Sequence, residues 1–196
     1  MLNRLPAGLR KQSYIATLGS TSKDPSRAPS KPPCASNFNV VKLENIFIDL
    51  SQAIRCHKPK DCDALYIAPN GDFALIEFKN TNNPCATEIL QKLYDSLIAL
   101  IELKIIKDIQ FARERGCFVL VYHPDSQDEK EINSSYMSRQ GGGPKQSSQK
   151  FRYLNDLLDK GYVLKAGAIQ SFESFNSILV PLIEKDSSIL NAVSTL

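Results

Sequence analysis

The chain has 196 residues, of which 42% are hydrophobic and 23% charged; both fractions are close to globular averages and argue against wholesale disorder and against a membrane-embedded protein. No run reaches the ~18 apolar residues of a membrane-spanning helix, and residues 1–10 lack the apolar stretch of a secretory signal. We therefore expect one domain, in the cytoplasm and without a membrane partner. The net charge is only +3, but residues 1–60 contain 10 Lys and Arg against 3 Asp and Glu.

This basic front segment precedes a more regular region. It favours a polyanionic partner such as nucleic acid, because lysine and arginine release the counterions condensed on phosphates; a solvated tail explains it equally well. Residues 19–36 are rich in serine and proline, which is typical of a linker. We therefore predict a basic N-terminal segment with a linker over residues 1–36, followed by a single domain over residues 37–196.

The first part of the domain has three periodic segments. Apolar residues at helical spacing predict a helix over residues 41–55. Two short apolar runs, 63–68 and 73–79, flank Pro69-Asn70-Gly71-Asp72, and an Asn-Gly pair tolerates the positive φ values of a tight turn. These runs predict two antiparallel strands joined as a hairpin.

The rest of the domain alternates helical and extended patterns. Residues 86–106 predict a long helix, and residues 107–115 predict a second, basic helical stretch with Gly116 as its cap. The apolar run 117–122 has the length of a strand buried on both faces, and the polar stretch 124–148 predicts a mobile loop. Further patterns predict a helix from Phe151 to about Gly161, a strand from Tyr162 to Ile169, and a helix from Phe175 to Glu184 that contains Pro181.

Three charged side chains of the predicted hairpin carry the candidate chemistry. Glu77 and Lys79 are two residues apart on one strand, so they project from the same face. Asp63 begins the neighbouring strand, only ~5 Å away, so its carboxylate can converge with that of Glu77. Two carboxylates suit Mg²⁺ or Mn²⁺, and a lysine beside them can stabilise charge during phosphodiester hydrolysis. A structural ion pair on an ordinary strand is the alternative.

Asp63 and the triplet Glu77-Phe78-Lys79 resemble the signature of the PD-(D/E)XK nuclease superfamily, an acid on one strand followed by acid-x-Lys on the next. The resemblance implies an α/β fold with a restriction-endonuclease-like core, a small mixed β-sheet flanked by helices, here with C-terminal accessory elements. It also implies that Asp63, Glu77 and the backbone carbonyl of Phe78 bind the metal, Mg²⁺ or Mn²⁺, and that Lys79 is catalytic.

The resemblance extends to two helices. In the family the helix after the signature often supplies a glutamine and a tyrosine, which implies a catalytic role for Gln91, while Tyr94 stands one residue too close to it. An acid on the first helix is also frequent, which implies Glu44 as a further metal ligand. The chain departs from the family pattern in having Cys62 where a proline is usual, and Asp61 is a competing acid.

Five cysteines without a CxxC pair argue against a disulfide framework and favour reduced thiols. Cys56, His57 and Cys62 could supply three zinc ligands, but their spacing matches no common zinc site. Two hypotheses remain. The first is a metal-dependent nuclease that acts on nucleic acid, with DNA favoured over RNA as the substrate. The second is a catalytically silent module of the same fold that binds nucleic acid or a protein partner. The sequence leaves the oligomeric state open, with a homodimer as one option.

Overall fold

A computed structural model describes residues 1–22, 34, 36–79, 84–122, 161–163 and 165–193. Within these residues one open sheet has six strands, adjacent in chain order. The neighbours are antiparallel from the first strand to the fourth and parallel from the fourth to the sixth. The strands are β1 (Ile15–Thr17), β2 (Asn39–Val41), β3 (Ala64–Ile67), β4 (Phe73–Lys79), β5 (Gly116–Tyr122) and β6 (Lys165–Gln170).

Helices cover both faces of this sheet. None of the described helices is long and apolar enough to cross a membrane. The α-helices are α1 (Leu18–Thr21), α2 (Leu43–Ile54), α3 (Ala86–Glu102), α4 (Ile109–Arg115), α5 (Phe172–Ile178), α6 (Val180–Glu184) and α7 (Leu190–Val193), and three 3₁₀ turns, Leu2–Arg4, Ala7–Leu9 and Gln12–Tyr14, precede β1.

The two faces of the sheet bury separate cores. Side chains alternate along β4, so Phe73 and Leu75 face the core that α2, α3 and α4 cover. Ala74 and Ile76 face the opposite core, which α5, α6 and α7 cover. Because β5 lies between these two layers, it is buried along its whole length. The prediction of a mixed α/β domain with a small mixed sheet is confirmed, whereas the restriction-endonuclease-like assignment stays a prediction.

The predicted hairpin is confirmed, with one refinement at its turn. β3 and β4 pair antiparallel from Ala64 opposite Ile76 to Ile67 opposite Phe73. Gly71 takes the positive φ of 89° that the turn needs. The Asn70 backbone takes no positive φ; instead its side-chain oxygen accepts the Asp72 N–H at 3.1 Å.

Several element boundaries differ from those predicted. The helix predicted over residues 41–55 is α2, which begins only at Leu43 because the preceding residues Asn39–Val41 form β2. The long helix ends at Glu102 rather than near residue 106, and two residues later Lys104 takes a left-handed φ of 56°.

Glycine and proline mark two further helix boundaries. The prediction of Gly116 as the cap of the basic helix is confirmed: Gly116 is the C-cap of α4, its N–H donates to the Ala112 carbonyl, and with an extended φ of −96° it begins β5, where a Cβ atom would lie 2.6 Å from the Phe73 ring. The helix predicted from Phe175 to Glu184 is two helices, α5 and α6. Proline lacks an N–H group and clashes with the preceding turn, and Pro181 accordingly lies in the first turn of α6.

Some predicted segments lie outside the described residues, namely the loop 124–148, the helix from Phe151 and most of the linker 19–36. The N-terminal segment, which the sequence analysis set apart, contributes β1 to the common sheet. It also contributes the buried side chains of Leu5 and Tyr14 to the core beneath α2 and α3.

Candidate functional site

The open end of the β3–β4 hairpin brings the two predicted acids together. Ala64 is paired with Ile76, so the same register places Asp63 opposite Glu77, on the face that α3 covers. The backbone pairing of β3 with β4 ends at Ala64. Beyond it the Asp63 side chain replaces a backbone acceptor, because its Oδ2 accepts a hydrogen bond from the Phe78 N–H at 2.7 Å. The Asp63 carboxylate is therefore held between the two strands.

A polar row of α3 covers these strand ends. The core-facing residues of α3 draw the helix onto the sheet, and residues four apart lie on one face of it. Glu88 Oε1 accepts the Lys79 ammonium at 2.7 Å. One turn later, Lys92 Nζ donates to Glu77 Oε1 at 2.7 Å. After another turn, Ser96 Oγ accepts the Cys62 N–H at 3.1 Å, so three polar contacts fix the helix over the site.

Glu77 is the centre of this cluster. Its side chain is fully buried, and its Oε1 contacts two ammonium groups, Lys92 at 2.7 Å and Lys79 at 3.3 Å. The other oxygen, Oε2, is buried and has no hydrogen-bond partner among the residues that the structure describes. Lys92 Nζ also lies 4.0 Å from Asp63 Oδ1. Buried carboxylate oxygens are usually hydrogen-bonded, so the orphan Oε2 requires an explanation.

The pKa values of the clustered side chains reflect both their burial and the charges beside them. Burial raises the pKa of Glu77 to about 8, and the neighbouring charge of Asp63 adds to this effect, against the opposing influence of Lys92 and Lys79. Burial also raises the pKa of Asp63. Burial opposes the charge of Lys92, but Glu77 and Asp63 outweigh it and raise the pKa of that ammonium. An added cation beside the two carboxylates would favour their ionised forms.

The residues predicted from the strand motif lie in this one cluster: Asp63, Glu77 and Lys79 share it, and the Phe78 backbone borders it. The two predicted helix contributions, Gln91 and Glu44, have no hydrogen bond or ion pair with Asp63 or Glu77 among the described residues, and both stay predictions. Gln91 is exposed on α3. The half-exposed carboxylate of Glu44 pairs with Lys42 at 2.7 Å.

The other residues that the sequence left open have different neighbours. Tyr94 packs its ring on Tyr162, with centroids 4.9 Å apart. The competing acid Asp61 accepts the Lys58 ammonium at 2.6 Å. Cys62 is buried, whereas Cys56 is exposed.

The donor set of the pocket formed by the side chains of Asp63, Glu77, Lys79 and Lys92 fits a hard divalent cation in chemical type. Asp63 Oδ1 and the orphan Glu77 Oε2 are carboxylate oxygens, which Mg²⁺ and Mn²⁺ prefer. The Phe78 N–H points towards Asp63, and in an extended strand the carbonyl of a residue points to the same side as its N–H. Across the described part of the chain, no three His, Cys, Asp or Glu side chains are grouped as ligands. Water would therefore complete such a site, as is common for Mg²⁺.

Lys92 is a residue of the site that was not predicted from the sequence. The family pattern directed attention to Gln91, yet it is Lys92 that reaches Glu77. A signal was present: Glu88, Lys92 and Ser96 recur every four residues beside the apolar row that includes Ile89 and Leu93. A lysine in that row must lie at the border of the core, close to whatever the strand presents there.

Comparisons with protein-family models, with curated proteins and with solved structures find no significant match to this chain.

Proposed function

We propose that this protein is a metal-dependent nuclease that hydrolyses phosphodiester bonds in nucleic acid, with DNA favoured over RNA as the substrate. The observation that carries the proposal is the fully buried Glu77: its Oε2 has no hydrogen-bond partner among the described residues, and its Oε1 lies 2.7 Å from the Lys92 ammonium, which is 4.0 Å from Asp63 Oδ1. A buried acid with an unsatisfied oxygen is costly for folding. A cation bound at this oxygen would satisfy it and offset the free-energy cost of burying it.

The residues of the pocket divide the chemistry in the manner that the resemblance to PD-(D/E)XK nucleases implies. Asp63, Glu77 and the Phe78 carbonyl would hold Mg²⁺ or Mn²⁺, which when bound supplies a Lewis acid and an activated water. Lys79, whose ammonium now lies between Glu77 and Glu88, would stabilise the negative charge that develops on the phosphate. Such an enzyme would act in the cytoplasm, and a homodimer could hold both strands of a duplex.

One observation favours a second candidate, a catalytically silent module with the same core. The Lys92 ammonium already neutralises Glu77 from 2.7 Å, so the pocket carries a counter-ion of its own without a metal. A chain that kept the acids only for this internal ion pairing would bind nucleic acid or a protein partner and leave it intact.

Cleavage of plasmid and single-stranded DNA tests the proposal. We expect turnover in Mg²⁺ or Mn²⁺ but not in Ca²⁺ or chelator, since Ca²⁺ accepts looser geometry and activates its water less well. Glu77→Gln and Lys79→Ala should each abolish turnover. Matched controls are Glu102→Gln at the exposed end of α3 and Lys107→Ala, whose side chain is 83% exposed; both should cleave normally.

The assay also separates the two candidates. Wild-type protein that binds DNA but cuts neither substrate in any of these cations would replace the nuclease with the silent module. Unchanged cleavage by Lys79→Ala would remove Lys79 from the chemistry.

A further inference from the structure

A lysine ammonium occupies the space between the two candidate ligand carboxylates. Lys92 Nζ lies 2.7 Å from Glu77 Oε1 and 4.0 Å from Asp63 Oδ1. Its side chain is only 18% exposed, and its neighbours in α3, Ile89 and Leu93, are fully buried in the core. The ammonium is therefore held in the pocket by the packing of α3.

We propose that Lys92 is a built-in counter-ion that a divalent cation must displace from between Asp63 and Glu77, so that the resting chain resists metal loading. This inference rests on the metal site of the proposed function. It adds a residue that competes with the metal for the same carboxylates, and it links the two candidate functions as two states of one pocket.

The charges of the pocket support displacement. An ammonium and a divalent cation that share carboxylate oxygens within ~4 Å repel each other strongly. A cation at the free Glu77 Oε2 would bind the same carboxylate whose Oε1 already accepts a hydrogen bond from the Lys92 ammonium. The bound cation would repel the Lys79 ammonium less than the Lys92 ammonium, because Lys79 lies nearer to Glu88, at 2.7 Å, than to Glu77, at 3.3 Å.

The displaced ammonium has acceptors within electrostatic reach. Lys79 is the main cause of the lowered pKa of Glu88, and Lys42 is the main cause of the lowered pKa of Glu44. The charge of Lys92 adds to both shifts. Glu88 lies one helical turn before Lys92, the spacing at which glutamate and lysine pair on a helix surface. A rotamer change of Lys92 could thus exchange Glu77 for Glu88 without moving α3.

Titration calorimetry of the metal-free full chain with Mn²⁺ alone tests the inference. The variants are Lys92→Met, which keeps the stem and removes the charge, Lys79→Met as the matched charge removal, and Lys92→Arg as the conservative variant. We expect Lys92→Met to bind Mn²⁺ at least about tenfold more tightly than the wild type, as removal of a like charge within ~4 Å should. Lys79→Met should gain clearly less, and Lys92→Arg should bind as weakly as the wild type.

Three results would overturn the inference: unchanged or weaker binding by Lys92→Met, equal gains in Lys92→Met and Lys79→Met, or tight binding by Lys92→Arg. If Lys92→Met does not fold without metal, Lys92→Gln and the Mn²⁺-induced shift in melting temperature replace it, because a ligand stabilises the state that it binds. A larger shift for Lys92→Gln than for Lys79→Gln supports displacement, and an equal or smaller one refutes it.

Binding and cleavage fail separately. If the wild type cuts DNA but Lys92→Met binds no more tightly, the nuclease stands and the built-in counter-ion is rejected. If Lys92→Met binds Mn²⁺ more tightly but no form cuts DNA, the counter-ion stands and the nuclease is rejected.

Discussion

The β3–β4 hairpin buries an acid at each end, and the protein treats the two acids in opposite ways. At the turn, Asp72 is 7% exposed and both of its oxygens are hydrogen-bonded. Oδ1 accepts Arg115 at 3.1 Å, and Oδ2 accepts Asn70 at 2.7 Å and Ser188 at 2.5 Å. Burial opposes ionisation of Asp72, but these hydrogen bonds outweigh it and lower its pKa.

At the open end, Glu77 is also buried, with 0% of its surface exposed, yet one of its oxygens has no partner among the described residues and its pKa is raised to about 8. Burial therefore does not by itself distinguish the acid that we propose to be functional from the structural one. The distinction lies in whether donors satisfy both oxygens. The hydrogen bonds of Asp72 tie the turn to α4 and to the C-terminal segment, whereas Glu77 Oε2 has no hydrogen-bond partner among the described residues and would receive the cation of the proposed function.

The largest effect that would sharpen this contrast is on activity. Asp63→Asn should lower Mn²⁺-dependent DNA cleavage by about 10²-fold or more, the loss typical when one electrostatic group at a reacting centre is removed. Its amide oxygen can still accept the Phe78 N–H, so the fold should persist. Asp72→Asn, the same change at the other end of the hairpin, should cleave at close to the wild-type rate. Initial rates of plasmid nicking at 20 °C measure both, and equal losses would erase the distinction.

A smaller effect concerns stability, and here the order of the two ends reverses. Asp72→Ala leaves three donors without their acceptor and should lower the free energy of unfolding by about 1–2 kcal/mol; we expect no more, because Arg115 is 47% exposed and can turn to water. Glu77→Gln keeps an oxygen for Lys92 and loses no hydrogen bond at Oε2, so it should cost less. Urea unfolding compares them, with exposed Glu114→Ala as the control. A larger loss in Glu77→Gln would contradict this assignment.

The smallest effect is on the pH dependence of stability. The folded-state pKa of Asp72 lies below its ordinary value of 3.8, so its ionisation stabilises the fold above that value and the stabilisation is lost as the pH falls through the folded pKa. The unfolding free energy of Asp72→Asn should therefore fall less steeply than that of the wild type as the pH drops below about 5. Parallel curves would show that Asp72 is not ionised preferentially in the folded state.

The local elements and the strand motif follow from the order of residues along the chain. A hairpin with an Asn-Gly turn, a long amphipathic helix and a strand buried on both faces follow from periodicity and from the freedom of glycine to take positive φ, as Gly71 does. The alternation of side chains along β4 likewise placed Glu77 and Lys79 on one face. The convergence of Asp63 with them needed only the register of a short hairpin.

The contact between α3 and that face of the sheet depends on how the elements pack in three dimensions. Helical periodicity already separates Lys92, which borders the apolar row, from Gln91 on the exposed face, but the packing of α3 on the sheet is what brings the Lys92 ammonium to 2.7 Å from Glu77 Oε1. The three-residue strands β1 and β2 are too short to carry a periodic signal and exist because neighbours pair with them. The contrast between Asp72 and Glu77 has the same origin, since the donors that satisfy Asp72, from Ser188 and Arg115, come from segments far along the chain that only the packed fold brings near.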